Sequence, residues 1–313
     1  MTILTPAADH AALVVLAVLL LGTVAGAALR LGRRAIAADW NARMLGWWLM
    51  VGLVLGALAL GPAAFTVLFA LIAFHALREF ITLSPTRRAD HHALFWAFFV
   101  VLPIQFWLAW KPWYGLFTVF VPVWAFLFMA ARSALAGDAK GYLERTAKIQ
   151  WGLMSCVFAL SHIPALTTLP LRAELGGTAR GPELVLWLLL VVQLSDVFQY
   201  IWGKSLGRHP LAPVLSPQKT WEGLLLGVLS AAGAGAALCW LTPFPPWQAA
   251  LVALALCLAG FFGGLVMSAI KRDAGIKDWS HLIPGHGGIL DRVDSLVFAA
   301  PAFFHILRYC CGG

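Results

Sequence analysis

About ten apolar runs, each close to the length needed to cross a bilayer, follow one another through the chain. They lie at residues 11–29, 44–61, 63–82, 93–110, 114–131, 149–170, 184–202, 223–243, 247–270 and 295–310. No other feature restricts the fold so strongly. A chain inside hydrocarbon must satisfy each backbone N–H and C=O internally, and single runs of this length do so as α-helices. The expected fold is therefore all-α, a polytopic integral membrane helical bundle with about ten transmembrane helices. Composition agrees: 12% of residues are charged and 61% hydrophobic, against about 25% charged in soluble domains.

The first run has no Lys or Arg ahead of it, so it lacks the positive start of a signal peptide and is read as an uncleaved first span. Cys156, Cys239, Cys257, Cys310 and Cys311 lie in or at the end of apolar segments without CxxC spacing. They read as small hydrophobes, neither disulfides nor metal ligands. The formal charge of +8 sits in short loops and on no single face of a soluble fold, which argues against nucleic acid as a partner. With both chain ends on one side, the loops at 30–43, 83–92, 132–148, 203–222 and 271–294 share the other. Together with Arg78 they hold 18 of the 22 Lys and Arg, leaving Lys111, Arg172, Arg180 and Arg308 opposite. The positive-inside tendency places these loops in the cytoplasm and the chain in the inner (cytoplasmic) membrane.

Near the span ends, Trp47, Trp48, Trp110, Trp113, Trp202, Trp240 and Trp247 read as interfacial anchors. The third run carries His75, Arg78 and Glu79, costly in lipid unless they pair or face a polar interior. Residues 133–148 read as a surface helix or loop without assigned chemistry.

Residues 268–294 are the densest polar stretch, with four carboxylates, four Lys or Arg and a Gly-rich turn. Asp291 and Asp294, three apart at a helix start, are placed to face one ligand, and two oxygen donors suit a hard cation such as Mg²⁺. Gly285, Gly287 and Gly288 around His286 let the backbone turn tightly and offer N–H groups to an anion. Lys271, Arg272, Lys277 and Arg292 supply phosphate-binding charge. A basic loop beside a membrane, with carboxylates paired to it, explains the same residue types equally well.

The stretch resembles the C-terminal signature of the phosphatidate cytidylyltransferase (CDP-diacylglycerol synthase) family. The match runs through Ser268, Lys271, Arg272, Lys277, Asp278, Pro284, His286, Gly287, Gly288, Asp291, Arg292 and Asp294. A second polar stretch, Asp196 to Gly207 followed by Ser216-Pro217-Gln218-Lys219-Thr220-Trp221-Glu222-Gly223, is similar to the same family's other polar region. Read alone, Gly203-Lys204-Ser205 is no Walker A loop, because Phe198 stands where that pattern needs glycine. Thr220 and Glu222 also suit the capping of a following helix. The resemblance covers residues 190–300; the N-terminal half matches in hydropathy and length.

The resemblance implies transfer of a cytidylyl group from CTP to phosphatidate, giving CDP-diacylglycerol and pyrophosphate. It implies Asp291 and Asp294 as Mg²⁺ ligands with Asp278 a further acidic candidate, for one ion or two, and catalytic roles for Asp291, Asp294, Lys271 and Arg272. Substrate contacts would come from Asp196, Ser216, Lys219, Ser268, Lys277 and His286, the last either donating to phosphate or pinning the turn. Residues 1–183 would form a scaffold and lipid cavity, and 184–313 the catalytic half with its cytoplasmic CTP and metal site. The implied partners are CTP, phosphatidate, membrane lipids and a second copy in a homodimer. One position departs from the family, which carries Gly-Asp where this chain has Gly263-Gly264. The missing carboxylate leaves three readings: a weak or inactive paralogue, a disabled variant, or an enzyme recruiting a ligand elsewhere. A CTP-dependent lipid-alcohol kinase and a non-catalytic lipid-binding paralogue are the competing functions.

Overall fold

The computed structural model describes residues 5–29, 34–83, 87–175, 180–282 and 287–312. The apolar runs form α1 (Pro6–Leu29), α2 (Arg34–Leu60) and α3 (Pro62–Thr82). They continue as α4 (Arg88–Trp110), α5 (Tyr114–Ala134) and α6 (Tyr142–Thr168). The second half holds α7 (Gly181–Leu206), α8 (Trp221–Ala237), α9 (Pro246–Asp273) and α10 (Leu290–Cys311). Among the described residues nine of these are long and apolar enough to cross a membrane. The all-α polytopic bundle expected from hydropathy is the fold the chain adopts.

The exception in length is α8, with 17 residues, about 26 Å of helix. Its start is fixed by Thr220, an extended residue whose hydroxyl accepts the Gly223 N–H at 3.1 Å, so Thr220 is the helix cap that the sequence allowed. At its far end the chain leaves the helix at Leu238 for a short 3₁₀ turn, and Pro243, Pro245 and Pro246 bar continuation. Ahead of α8 a small antiparallel hairpin, β1 (Pro210–Ala212) and β2 (Ser216–Thr220), pairs Pro210 with Thr220 and Ala212 with Ser216. The Ser-Pro-Gln-Lys-Thr run is thus strand β2 itself. Wide π-type turns interrupt α4 at Ala97–Val101 and α5 at Phe120–Ala125. Pro103 follows the first and Pro122 lies within the second, where the missing N–H breaks the helical ladder.

In the second half α8 packs between α7 and α9, and α9 lies along α10. Close approach comes from one ridge of α8 at four-residue spacing: Gly223, Gly227, Ala231 and Gly235. A Cβ on Gly227 would lie 2.6–2.7 Å from Gln199 of α7, and one on Gly235 would lie 2.5 Å from the Ala253 Cβ of α9. Gly233, off this ridge, faces open space. Trp187 of α7 donates its indole N–H to the Gly235 carbonyl at 3.1 Å and stacks on Phe303 of α10, 5.1 Å between ring centres. Trp202 and Trp48, expected as interfacial anchors, donate their indole N–H groups between helices, to Ser230 and Thr23.

α10 also touches α3 and α6, so it joins the two halves of the bundle. At one end of the bundle Arg145 pairs with Asp90 at 2.7 Å, and Asp138 is shared with Arg87 and Arg145. These ion pairs tie the start of α4 to the start of α6, and they occupy the 133–148 stretch for which no chemistry was read. At the opposite end Arg180 donates to the Thr242 carbonyl, Arg172 to the Cys310 carbonyl, and the Tyr114 hydroxyl lies 3.4 Å from His305. The two sets of loops separated by the charge pattern therefore occupy two ends of the bundle.

Candidate active site

The polar residues singled out in sequence converge at the end of the bundle where α3 and α9 finish and α10 begins. α9 ends with Lys271 and Arg272 in its last turn, and Gly275, with φ +71°, turns the chain out of the helix. The returning segment reaches α10 through Gly287, whose φ of +82° is left-handed, and a side chain there would also press on Asp291. Pro284, Gly285 and His286 lie outside the described residues.

Asp291, in the first turn of α10, has both carboxylate oxygens engaged. Oδ1 accepts from Lys271 Nζ at 2.7 Å, and Oδ2 from the backbone N–H of Trp279 at 2.9 Å and of Gly288 at 3.0 Å. The ion pair is enclosed, with 4% of the Asp291 side chain exposed and 11% of Lys271. Such a pair holds the returning segment against the ends of two helices, because removing either partner would leave a buried charge.

Asp294 lies one turn further on. Its Oδ1 accepts the Ser295 N–H at 2.7 Å, and Ser295 Oγ donates at 2.8 Å to Asp196 Oδ2 on α7. Ser295 therefore links two carboxylates on neighbouring helices. Among the described residues no protein donor reaches the second oxygen of either. Asp196 is exposed and Asp294 half-buried, so solvent reaches the polar recess that the pair lines.

Opposite them β2 presents Lys219, whose Nζ stands 4.4 Å over the Phe261 ring. Burial pulls the Lys219 ammonium below its usual pKa, with Lys271 adding to the effect while Asp196 and Asp294 oppose it. Gly264 of α9 borders the same space. A Cβ there would lie 3.3 Å from Lys219 Nζ, 3.7 Å from Ser295 Oγ and 3.8 Å from Asp294 Oδ2. Gly264 thus opens into the recess. Gly263 instead lets α10 approach, since its Cβ would meet the Asp294 carbonyl at 2.8 Å.

The remaining predicted residues lie around this centre. Ser268 donates to the Gly264 carbonyl at 2.7 Å within α9, and Arg272 to the Ile276 carbonyl at 2.7 Å. Lys277 and Asp278 are exposed on the returning segment, and Ser216 is half-buried on β2. Glu222 accepts from the backbone of Arg208 and His209 and from the His209 ring, fastening the hairpin to α8. Among the described residues no three His, Cys, Asp or Glu side chains cluster as metal ligands.

Ser295 was missed by the sequence reasoning, and Glu79 was singled out there without its partners. Ser295 lies one residue beyond the signature, and a hydroxyl directly after a buried carboxylate was its only signal. Glu79, on α3, reaches the returning segment with three hydrogen bonds: from Ser280 Oγ at 2.6 Å, Ile289 N at 3.0 Å and Leu290 N at 2.8 Å. The sequence reading had it pairing or facing a polar interior, and it meets the polar groups of the returning segment.

The recess can hold anions against cationic side chains, with paired carboxylates able to bind a cation beside them. Comparison with known proteins identifies the family. Residues 41–310 match the model of the cytidylyltransferase family. The uncharacterized protein YnbB of Escherichia coli (strain K12) is 42% identical over 271 residues, 86% of this chain and 87% of that protein. A phosphatidate cytidylyltransferase of Staphylococcus aureus (strain COL) is 41% identical over 125 residues, 39% of this chain and 48% of its own length. One from Synechocystis sp. (strain ATCC 27184 / PCC 6803 / Kazusa) is 45% identical over 115 residues, 36% of this chain and 39% of its own. A family match across most of the chain, on a bundle of membrane-length helices with this recess at one end, places the protein in the cytidylyltransferase family as a multi-pass membrane nucleotidyltransferase.

Proposed function

We propose that the protein transfers the cytidylyl group of CTP to phosphatidate, yielding CDP-diacylglycerol and pyrophosphate. The observation that carries this reading is the recess itself, in which Asp196, Asp294, Ser295 and Lys219 meet beside Lys271 and Asp291 at one end of a membrane bundle. A water-soluble triphosphate and a lipid headgroup can both reach such a place. The names of the Staphylococcus and Synechocystis relatives favour phosphatidate as the acceptor.

In the proposed reaction a phosphate oxygen of phosphatidate attacks the α-phosphorus of CTP. A new P–O–P linkage forms, the bond from the α-phosphorus to the oxygen bridging to the β-phosphate breaks, and its electron pair leaves with pyrophosphate. The attacking monoester has a second pKa of about 6, so it is ionised at neutral pH without a strong base. What the protein must supply is alignment and relief of repulsion between anions.

Lys219, held over Phe261 and facing the carboxylates, is placed to receive phosphate oxygens. Lys271 fixes Asp291, and through it the backbone at Trp279 and Gly288. The donor set fits Mg²⁺, which uses one or two carboxylates plus phosphate oxygens and keeps its own waters. Asp294 and Asp196 each have an oxygen without a protein donor among the described residues, and Asp291 would join them by loosening from Lys271. Asp278 is exposed on the returning segment, so the site proposed for the ion is the Asp294 and Asp196 pair. Bound there, the ion would neutralise charge on the phosphates. Lys277, Arg272, Ser216 and His286 would make outer contacts to CTP or headgroup. The basic loops at this end favour placing it in the cytoplasm, with the chain in the inner membrane.

The test is product formation by purified protein given CTP, phosphatidate and Mg²⁺. CDP-lipid with pyrophosphate supports the reading. Lipid phosphate with CDP, from a lipid alcohol, would replace it with a kinase.

A further inference from the structure

We propose that Glu79 is a positioning residue for the nucleotidyl transfer, a cap supplied by α3 that sets the angle at which α10 delivers Asp291 and Asp294. This rests on the function proposed above, although the clamp is a property of the fold. α10 begins at Leu290 with no capping side chain of its own, its N-cap being Ile289. The exposed N–H groups at such a start need an acceptor. Here that acceptor comes from a residue more than 200 positions away: Glu79 Oε1 takes the Ile289 N–H and Oε2 the Leu290 N–H, at 3.0 and 2.8 Å. Oε1 also takes the Ser280 hydroxyl at 2.6 Å, so one carboxylate grips both limbs of the segment that returns from α9.

Glu79 is 7% exposed, and its charge faces the positive end of α10. The next residue, Phe80, stacks on Trp279 at 5.5 Å and 27° between planes, and the Trp279 backbone N–H in turn holds Asp291. α3 therefore grips the segment at two adjacent residues, and both grips lead to the first turn of α10.

The clamp also accounts for Gly288. A Cβ at that position would lie 2.7 Å from Glu79 Oε2 and 2.9 Å from both Oε1 and Cδ. Gly288 has no left-handed φ to explain it. It is glycine because the Glu79 carboxylate lies against its Cα. A residue of the N-terminal half thus dictates a residue of the C-terminal signature.

The experiment compares full-length protein in nanodiscs with its Glu79→Gln, Glu79→Ala, Gly288→Ala and Glu79→Ala/Gly288→Ala forms. A misplaced reacting group costs on the order of 100-fold, and we expect Glu79→Gln to lose about that in kcat while KM for CTP moves by less than about threefold. Gly288→Ala should be harmful alone and add little to Glu79→Ala, because its clash is with the side chain that has been removed. Hydrogen exchange at residues 287–292 should speed up in Glu79→Gln without general loosening of the bundle. That readout needs no substrate, so wild type without CDP-lipid product would overturn the proposed function and leave the clamp to be judged by exchange. Additive Gly288 and Glu79 effects, or unchanged exchange at 289 and 290, would overturn the clamp. Unchanged kcat in Glu79→Gln of an active enzyme would overturn its positioning role.

Discussion

Gly264→Asp is the perturbation whose outcome the structure constrains most closely. The new Cβ meets no backbone, and its nearest neighbour, Lys219 Nζ at 3.3 Å, is the free end of a flexible side chain that can yield a few tenths of an ångström. The carboxylate would enter the recess beside Asp294 Oδ2, which lies 3.8 Å from that Cβ. Two unit charges about 4 Å apart interact by about 4 kcal/mol at an effective dielectric of 20. Repulsion from Asp294 and attraction to Lys219 are then each of that order and largely offset one another. A divalent cation feels the added carboxylate with twice the charge, and a net gain of only about 1.4 kcal/mol is tenfold in affinity. The Mg²⁺ concentration giving half-maximal turnover should fall about tenfold or more, and Mg²⁺ should raise the melting temperature of Gly264→Asp more than that of wild type. The assay is turnover across a Mg²⁺ titration, paired with thermal unfolding in chelator and in Mg²⁺. Unchanged Mg²⁺ dependence in both readouts would refute the placement of the cation between Asp294, Asp196 and Gly264.

Asp291→Asn and Asp294→Asn should differ in kind. The first unpairs buried Lys271 and should cost about 3–5 kcal/mol of stability as well as activity, whereas the second should lose turnover with little change in unfolding; matching stability losses would contradict the separate roles. Because burial lowers the Lys219 pKa and the ammonium is the form that binds phosphate, activity should fall as pH rises through that lowered pKa. Lys219→Arg keeps its charge throughout, so the basic limb of its pH–rate profile should move to higher pH, and an unmoved limb would remove Lys219 from the phosphate site. Gly227→Ala places a methyl 2.6–2.7 Å from Gln199 and should cost about 1–3 kcal/mol by forcing α7 from α8, while Gly233→Ala, facing open space, should unfold like wild type.

The bundle was legible because lipid leaves a backbone few choices: a run such as 247–270 has to be a helix whatever packs against it. The grouping of the loops at two ends of the bundle could be read for a related reason, as Lys and Arg cluster where they are wet. Packing partners could not be read that way. Ala231, Gly233 and Gly235 look equally small in sequence, and only the four-residue ridge from Gly223 shows which faces turn inward. The end of α8 was overrun because the helix stops at Ala237 within apolar chain, ahead of the prolines that bar its resumption.

In the site, the Asp291 and Asp294 spacing marked the helix start, but the two carboxylates it was expected to turn toward one ligand have different partners. Residues three apart are still about 60° apart around the axis, enough for Asp291 to face Lys271 and the loop amides while Asp294 faces Ser295 and α7. Which of two acids is occupied by protein donors depends on chain that arrives from elsewhere in the fold. Glu79 shows the same limit at greater distance, since its partners are 201 to 211 positions away. Gly264 was visible as a departure from a pattern. Its meaning as an opening onto Lys219 and Asp294 required the helices to be placed.

The central claim is that this recess joins a nucleotide to a lipid phosphate through the α-phosphorus. The most direct measurement follows two labels in parallel, CTP carrying radiolabel at the α- or the γ-phosphorus, with purified protein, phosphatidate and Mg²⁺. The account predicts α-label in the lipid fraction and γ-label in pyrophosphate, with Asp294→Asn abolishing both. Label from the γ-position in lipid, or full transfer by Asp294→Asn, would contradict it.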